Sequence, residues 1–520
     1  MLRIKRLIPI AVLMATVGGM YAPAALASSN QEAVIQDDAM MKADPAGTLA
    51  IFKSLGVTRV RVSVQWSSLA PNPNSRKAPS HFNGGSPTSY PAAKWGIYDA
   101  IVRQAKADGI QIYFLLTGGA PRWGNGPGMP SGSHSQWKPN AVQFGAFAKA
   151  VGTRYNGRYK PRGQRSALPR VSFWSIWNEP NYGFDLAPQT TSRDSIESGA
   201  AIYRGLLQHA WAGLSQSGHK PGRDTVLIGE LAPRGLDRGI GNFQGVKPLR
   251  FLRALYCVDS RYNELRGSAA AVRGCPTTSS ASRSFRRQNP ALFGASGFAA
   301  HPYTSQAKPV APNVPTNLNG SGRSDPDFAD LPEIPRLEGV LDRLNRIYGS
   351  GKHYAVWNTE YAYRTKPPDP VGTSLSNQAL WLNQAEYISY KQRRMASFDQ
   401  YLLVDPPGGS FASGLMTNAR VPKPSFGAWA MPIWLPTTST RKGRQVEVWG
   451  CARPAHFARG TQKVLIRFRS GSKGAFKTLR TVTLHNKRGY FDIKMSFPSS
   501  GQVETDWNGM TGRTQNISVR

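Results

Sequence analysis

Two short runs carry the residues best suited to chemistry. Ser175-Ile176-Trp177-Asn178-Glu179-Pro180-Asn181 is an apolar stretch that ends in a carboxylic acid, and Pro180 stops a strand at that point. Ala355-Val356-Trp357-Asn358-Thr359-Glu360-Tyr361 repeats the pattern, with Glu360 set among aromatics. Two carboxyl groups facing each other across a cleft are the minimum apparatus for cleaving a glycosidic bond. Either acid alone could be a salt-bridge carboxylate at the rim of a fold. The pair is what points to chemistry.

Distant acids need a scaffold that brings them together. The region 33–436 alternates short β-rich apolar runs with amphipathic helical stretches. Strands are expected at 33–36, 60–64, 110–116, 171–177, 225–228, 295–300, 353–357 and 398–404, and helices at 46–55, 93–107, 141–155, 195–216, 336–348 and 376–394. Gly56 and Gly109 stand just past two helices, where a left-handed residue is favoured. Eight strands, most followed by a helix, predict an α/β fold of the (β/α)8 TIM-barrel type rather than an open sheet. Glu179 and Glu360 then close strands four and seven, nearly opposite each other.

Loop lengths agree with this. Helix-to-strand connections are short, as at 53–57 and 106–110. Strand-to-helix connections are long and rich in Gly, Pro, Ser and aromatics, as at 67–91, 117–139, 231–246, 304–335 and 364–374. In a barrel the long set rises from the C-terminal face, where active sites form. The segment 258–290 reads as an insertion. After Pro436 come short alternating runs at 447–449, 463–468, 479–484, 489–495 and 515–519, which predict a small C-terminal β-sandwich. The expected division is a leader at 1–27, a catalytic barrel at 28–436 and a β-sandwich at 437–520.

These residues resemble the clan A retaining glycoside hydrolases, a (β/α)8 group that includes families 5 and 39. Their hallmark is an Asn-Glu pair after strand four and a Glu after strand seven. The resemblance implies that Glu179 is the general acid/base, Glu360 the nucleophile, and Asn178 the partner of the sugar 2-hydroxyl. Gly56-Val57-Thr58-Arg59-Val60-Arg61, followed by Trp66, is similar to the family's second strand and implies that Arg61 is the arginine near the nucleophile. His301-Pro302-Tyr303 matches the His and Tyr that flank the nucleophile. The likeness runs over 36–432. Two features depart from family 5. Thr117-Gly118-Gly119-Ala120-Pro121-Arg122-Trp123 stands where a His follows strand three, and Leu402-Leu403-Val404-Asp405 replaces the strand-eight Trp.

The chemistry sets demands on these groups. Glu179 must be protonated to donate to the leaving oxygen, so a raised pKa is expected. Glu360 must be ionised to attack the anomeric carbon, and Arg61 and the Tyr303 hydroxyl would favour that. Retention calls for carboxyls about 5–5.5 Å apart. No metal or organic cofactor is required. Arg61 could instead pair structurally inside the barrel, and His301 could merely cap a strand. Trp66, Trp123, Trp137, Trp177, Tyr182, Trp357, Tyr361 and Tyr363 are candidates for stacking on sugar rings, although half or more suit core or loop packing as well. Trp66, Trp123 and Trp357 are the substrate-binding choices among them.

Composition limits the remaining readings. The 520 residues are 40% hydrophobic, near the ~45% of globular chains, which argues against disorder, collagen and coiled coil. Arg3, Lys5 and Arg6, the apolar stretch 7–20 and the small residues of Ala25-Leu26-Ala27 predict a cleaved secretory leader, with a short membrane anchor as the alternative. No later stretch reaches the ~18 apolar residues of a transmembrane helix. A secreted, soluble protein is expected. Outside the cytoplasm Cys257 and Cys275 could pair, leaving Cys451 as a buried thiol; three unpaired cysteines are the alternative.

The formal charge is +35. Such a field attracts polyanions. It fits an anionic cell-envelope polymer, a carboxylate-bearing substrate, or a simply basic proteome. Specific nucleic-acid binding is not expected, since no recognised motif for it is present. The segment 437–520 holds 16 Lys or Arg against 4 Asp or Glu, so it is either an anchor to a polyanion or a stabilising appendage. The expected function is a secreted retaining O-glycosidase acting on β-linked poly- or oligosaccharides. Two alternatives stay open: an exo-acting β-glycosidase on uronic-acid-bearing chains, and a non-catalytic, envelope-bound carbohydrate-binding barrel.

Overall fold

The computed structural model describes residues 28–131, 135–304, 310–314 and 325–520. The leader expected at 1–27 lies outside the described residues, as does part of the 304–335 loop. Eight parallel strands form a closed ring in chain order: β1 (Glu32–Gln36), β2 (Arg59–Gln65), β3 (Gln111–Thr117), β4 (Phe173–Ile176), β5 (Thr225–Leu231), β6 (Gly297–Ala300), β7 (Val356–Asn358) and β8 (Met395–Tyr401). β1 pairs with β2 on one side and with β8 on the other, which closes the barrel. Their sequences read as near-continuous buried runs because one face meets helices and the other the interior.

Local chemistry sets the helices around the ring. Asp44 caps the helix Pro45–Ser54 through the Gly47 N–H. The helix Ala92–Asp108 ends on Gly109 at φ 73°, whose N–H turns back to the carbonyls of Ala105 and Lys106. The helices Ala141–Arg154 and Ser198–Gln216 approach closely because glycines face each other; a Cβ on Gly213 would sit 2.2 Å from the Gly145 carbonyl oxygen. Strand ends shift by up to three residues from expectation, most at β5, β7 (expected at 353–357) and β8. β5 runs three residues beyond 228, through a bulge at Gly229, and β8 ends at 401, leaving 402–404 to the loop.

The barrel interior is layered. Tyr113, Phe173, Leu227, Ala299 and Trp357 form an apolar floor, with Tyr113–Phe173 and Phe173–Trp357 ring centroids 4.6 and 4.7 Å apart. Polar side chains fill the space above it, toward the C-terminal mouth.

The C-terminal unit comprises β9 (Ile433–Trp434), β10 (Ser439–Thr440), β11 (Val446–Cys451), β12 (Lys463–Ser470), β13 (Lys477–Thr483), β14 (Tyr490–Met495), β15 (Gly501–Trp507), β16 (Met510–Thr511) and β17 (Gln515–Val519). One sheet runs β10-β17-β15-β12-β13 with β16 on β15; the other runs β14-β11-β9. β9 precedes Pro436, so the second sheet recruits residues assigned by sequence to the barrel region. The unit is fastened to the barrel by a buried ion pair. Arg453 Nη2 donates to Glu386 Oε2 at 2.6 Å, and the Tyr490 hydroxyl donates to Glu386 Oε1 at 2.6 Å.

The 258–290 insertion folds into the short helices Gly267–Ala271 and Ser279–Gln288 and is closed by a Cys257–Cys275 disulfide. Cys451 is a buried free thiol. Among the described residues no helix is long and apolar enough to cross a membrane.

Candidate active site

Glu179 follows β4 after a sharp turn. Trp177 and Glu179 adopt positive φ of 66° and 35°, a conformation that costs non-glycine residues energy and concentrates at functional sites. The turn is held by the Trp177 N–H on the Leu116 carbonyl at 2.7 Å and by its indole N–H on the Asp185 carbonyl at 3.2 Å. The carboxyl is thereby turned into the barrel mouth, 7% exposed. Glu360 lies two residues past β7 and is 9% exposed.

Arg61 organises the space between them. It projects from β2 with no exposed surface. Its Nη1 donates to Glu360 Oε1 at 2.7 Å and also reaches Gln36 Oε1. Its Nη2 donates to Asn178 Oδ1 at 2.9 Å and to Glu230 Oε2 at 3.0 Å. The Tyr303 hydroxyl donates to the second oxygen of Glu360 at 3.2 Å. His301 lies 3.0 Å from Glu179 Oε1 through Nδ1 and 2.8 Å from Glu230 Oε2 through Nε2, with Glu360 Oε2 at 3.5 Å. Facing oxygens of Glu179 and Glu360 and a ring nitrogen of His301 all fall within 4.8 Å of one another. The fold therefore gathers Glu179, Glu360, Arg61, Asn178, His301 and Tyr303 at one point.

The three chosen tryptophans lie elsewhere. Trp66 is fully buried beneath the helices, stacked on Phe147 and edge-on to Trp123. Trp123 donates its indole N–H to the Pro71 carbonyl and packs on Phe82. Trp357 belongs to the barrel floor. Aromatic type alone does not tell a core ring from a sugar platform, and these are packing rings. Tyr401 and Phe411 line the cleft instead.

Glu230 is the residue that sequence reasoning missed. Gly229 breaks the apolar run of β5 at φ 109°, and Glu230 follows at φ 53°, fully buried. It accepts from Arg61, from the Thr359 hydroxyl at 2.7 Å and from the Tyr113 hydroxyl. An acid inside an otherwise apolar strand is the signal that marked it.

The charges fix the protonation pattern. Burial disfavours the charged imidazole of His301, but Glu360, Glu179 and Glu230 around it outweigh that and push its pKa up to about 10. Burial would raise Glu179, yet its hydrogen bond to His301 and the charges of His301, Arg234 and Arg61 hold it below the usual carboxylate range. This corrects the expectation of a raised Glu179. At neutral pH the mobile proton sits on His301. Burial would also raise Glu230, but Arg61 and His301 keep it ionised. Asp185, beside Asn178, is pushed well above the ordinary range by burial and by the Glu179 charge. Burial likewise raises Asp399, whose carboxyl has no hydrogen-bond partner among the described residues.

No family model and no curated protein matches the chain. Among solved structures it is similar to a family 39 glycoside hydrolase from the gut symbiont Bacteroides cellulosilyticus WH2, at 13% identity, covering 94% of this chain and 80% of that one, with a TM-score of 0.46. It is also similar to the endo-beta-1,4-mannanase from Thermotoga petrophila (12% identity, 95% and 98% covered, TM-score 0.41) and to a family 1 b-glucosidase from Thermotoga maritima (14%, 74% and 84%, 0.43). What the cleft can do follows from its own groups.

The cleft above the cluster has a volume of about 770 Å³ and is walled by the loops after β1 and β8, with Arg234 from the loop after β5. Glu179, His301 and Glu360 are spaced as metal ligands could be. A proton on His301 and a metal would compete there for the same ring lone pair. The arrangement offers instead two carboxylates at covalent-catalysis range, one braced by a guanidinium and a phenol, the other hydrogen-bonded to a proton store.

Proposed function

We propose that the protein is a retaining β-glycoside hydrolase working by double displacement, with Glu179 as acid/base and Glu360 as nucleophile. The observation that carries this is the separation of the two carboxyl groups, within 4.8 Å at their facing oxygens, against the ~5–5.5 Å of retaining and the ~6.5–9.5 Å of inverting sites. Glu360 is held by Arg61 and Tyr303 with its charge directed at the mouth. Sugar binding excludes water from the pair, and the His301 Nδ1 proton passes 3.0 Å to Glu179. Glu179 then protonates the glycosidic oxygen while Glu360 forms the bond to the anomeric carbon and the leaving alcohol departs. In the second half Glu179 takes a proton from water, whose oxygen attacks the same carbon and frees Glu360, and that proton returns to His301 Nδ1. Asn178, held by Arg61, faces the sugar beside Glu179.

A 2-deoxy-2-fluoro aryl β-glycoside tests this reading. It should trap a covalent adduct, and peptide mapping should place the sugar on Glu360. A protein that binds glycan but is never labelled, and turns over no aryl glycoside, would be a non-catalytic barrel instead. Export belongs to the same proposal: the basic start, apolar run and Ala25-Leu26-Ala27 support cleavage. N-terminal sequencing of the protein from culture medium should begin at Ser28.

A further inference from the structure

We propose that the substrate is an acidic glycan, whose anionic groups are taken by Arg234 in the catalytic cleft and by Arg76 and Arg122 in a second pocket on the same barrel face. This rests on the glycosidase reading and names its substrate class. Every carboxylate on the cleft wall is already answered. Asp37 accepts three backbone N–H groups, Asp38 accepts from Gln36 and the Ser63 N–H, and Asp405 pairs with Lys423 at 2.7 Å. Arg234 is different. Among the described residues it has no carboxylate partner; its guanidinium lies 4.6 Å over the Tyr182 ring and its Nε is buried without a hydrogen bond. A cation left unpaired against a ring, at the edge of a catalytic cleft, suits a bidentate anion.

The second pocket, of about 700 Å³, opens between the loops after β2 and β3. Arg76 and Arg122 line it with Asn74, Asn125 and serines, and no described lining residue is acidic. Neither arginine has an ion pair among the described residues. The loops that present them are fixed. The Arg122 N–H donates to the Pro73 carbonyl at 2.6 Å, and Trp123 locks beneath through Pro71 and Trp66. The same segment reaches the catalytic turn, for a Cβ on Gly118 would meet the Trp177 ring at 2.6 Å. The second pocket thus offers a glycan on this face hydrogen-bonding amides, hydroxyls and two guanidiniums.

The position of Arg234 has a chemical consequence. Its charge is one of those that hold Glu179 ionised. A substrate anion bound to Arg234 offsets that charge and favours transfer of the His301 proton to Glu179. An acidic sugar would then assist its own cleavage.

The test is binding of three oligosaccharides of equal length to the wild-type protein: a β-linked glucuronan, its carboxyl-reduced form, and a sulfated form. At about 50 mM salt the tighter acidic form should bind about tenfold better than the reduced one, the gap narrowing at about 500 mM. Whichever acidic form binds more tightly identifies the anionic group. Arg76→Gln/Arg122→Gln and Arg234→Gln should each cut that preference about fivefold or more. Lys473→Gln/Lys477→Gln, two exposed lysines on the distant sandwich, should leave it unchanged. Acidic and reduced forms within twofold of each other, or a preference equally sensitive to the sandwich lysines, would overturn the proposal. Because binding needs no turnover, this outcome is separate from failure of the covalent label at Glu360.

Discussion

Arg61 and Arg453 are both deeply buried, each gripped by glutamate, and they do different work. At the joint between barrel and sandwich, Arg453 meets one acid, Glu386, whose other oxygen is taken by Tyr490, while Arg453 Nε donates to the Trp429 carbonyl at 2.9 Å. Charges match one to one, and Nε and Nη2 both have acceptors. At the barrel mouth, Arg61 and His301 face three acids, Glu179, Glu230 and Glu360, and Arg61 Nε is without a partner among the described residues. The first arrangement is complete and closed. The second carries surplus negative charge, is open to a cleft, and shares a proton. A complete buried pair specifies a joint; an incomplete one is available for reaction.

The largest break in this comparison comes from the acids of the mouth. Glu360→Ala should abolish turnover while leaving the fold intact, because it removes a surplus charge rather than half of a pair. Azide should then restore cleavage of an aryl β-glycoside and give the α-glycosyl azide, since azide enters from the vacated face. Glu179→Ala should lose about 10²–10⁴-fold with poor leaving groups, and azide should there give the β-product. Product anomers identified by NMR check both assignments; the opposite pairing would exchange the two roles.

Arg453→Ala tests the joint. It strands a buried Glu386 and should cost about 3–5 kcal/mol of stability, read by denaturant unfolding. Activity of the folded fraction should persist. Arg61→Ala should do the reverse in emphasis, removing activity at a temperature where the protein is still folded.

His301 sharpens the contrast through pH. Its pKa in the fold is pushed up to about 10 from an ordinary ~6.5. Its contribution to stability is therefore fully present below about 6.5 and lost as pH rises through about 10. Glu179 and Glu230 are lowered, so theirs is present above the ordinary carboxylate range and lost on acidification. The proton needed for catalysis sits on the His301–Glu179 pair, which titrates as a unit. The alkaline limb of kcat/KM should lie well above neutrality in the wild type. In His301→Asn it should move down by more than one pH unit, as a buried Glu179 alone becomes the donor. An unmoved limb would mean that His301 only positions Glu179.

Much of this was legible in the chain. Strand periodicity, short helix-to-strand links and long return loops specify the barrel because each reflects one local cause: burial on both faces, helix capping, and loops confined to one rim. Glu179 and Glu360 were legible because an acid ending an apolar strand must project at the mouth. Glu230 was not, because Gly229 interrupts the pattern with a bulge whose geometry depends on pairing with β6. The tryptophans were misjudged for a related reason. Trp66 stands one residue past β2, and whether it faces sugar or helix depends on Phe144 and Phe147 arriving from another segment. The depressed Glu179 was invisible, since the charges that cause it come from positions 61, 234 and 301.

The smallest expected effect is the most discriminating. If the joint is a complete structural pair, an apolar replacement of matched volume should substitute for it. Arg453→Met with Glu386→Leu and Tyr490→Phe removes the cation, the anion and the hydroxyl that would otherwise be orphaned. Such replacements of whole buried networks are often neutral or stabilising by about 1–4 kcal/mol. The midpoint of denaturant unfolding should stay near that of the wild type, and activity should be retained. The equivalent replacement at the mouth, Arg61→Met with Glu230→Leu, takes the guanidinium from Glu360 and leaves His301 as the one cation between Glu179 and Glu360. It should give a folded protein with no turnover. Equal outcomes at the two places, in stability and in activity alike, would mean that matched and surplus buried charge are the same thing here, and the distinction between joint and active site would have to rest on the cleft alone.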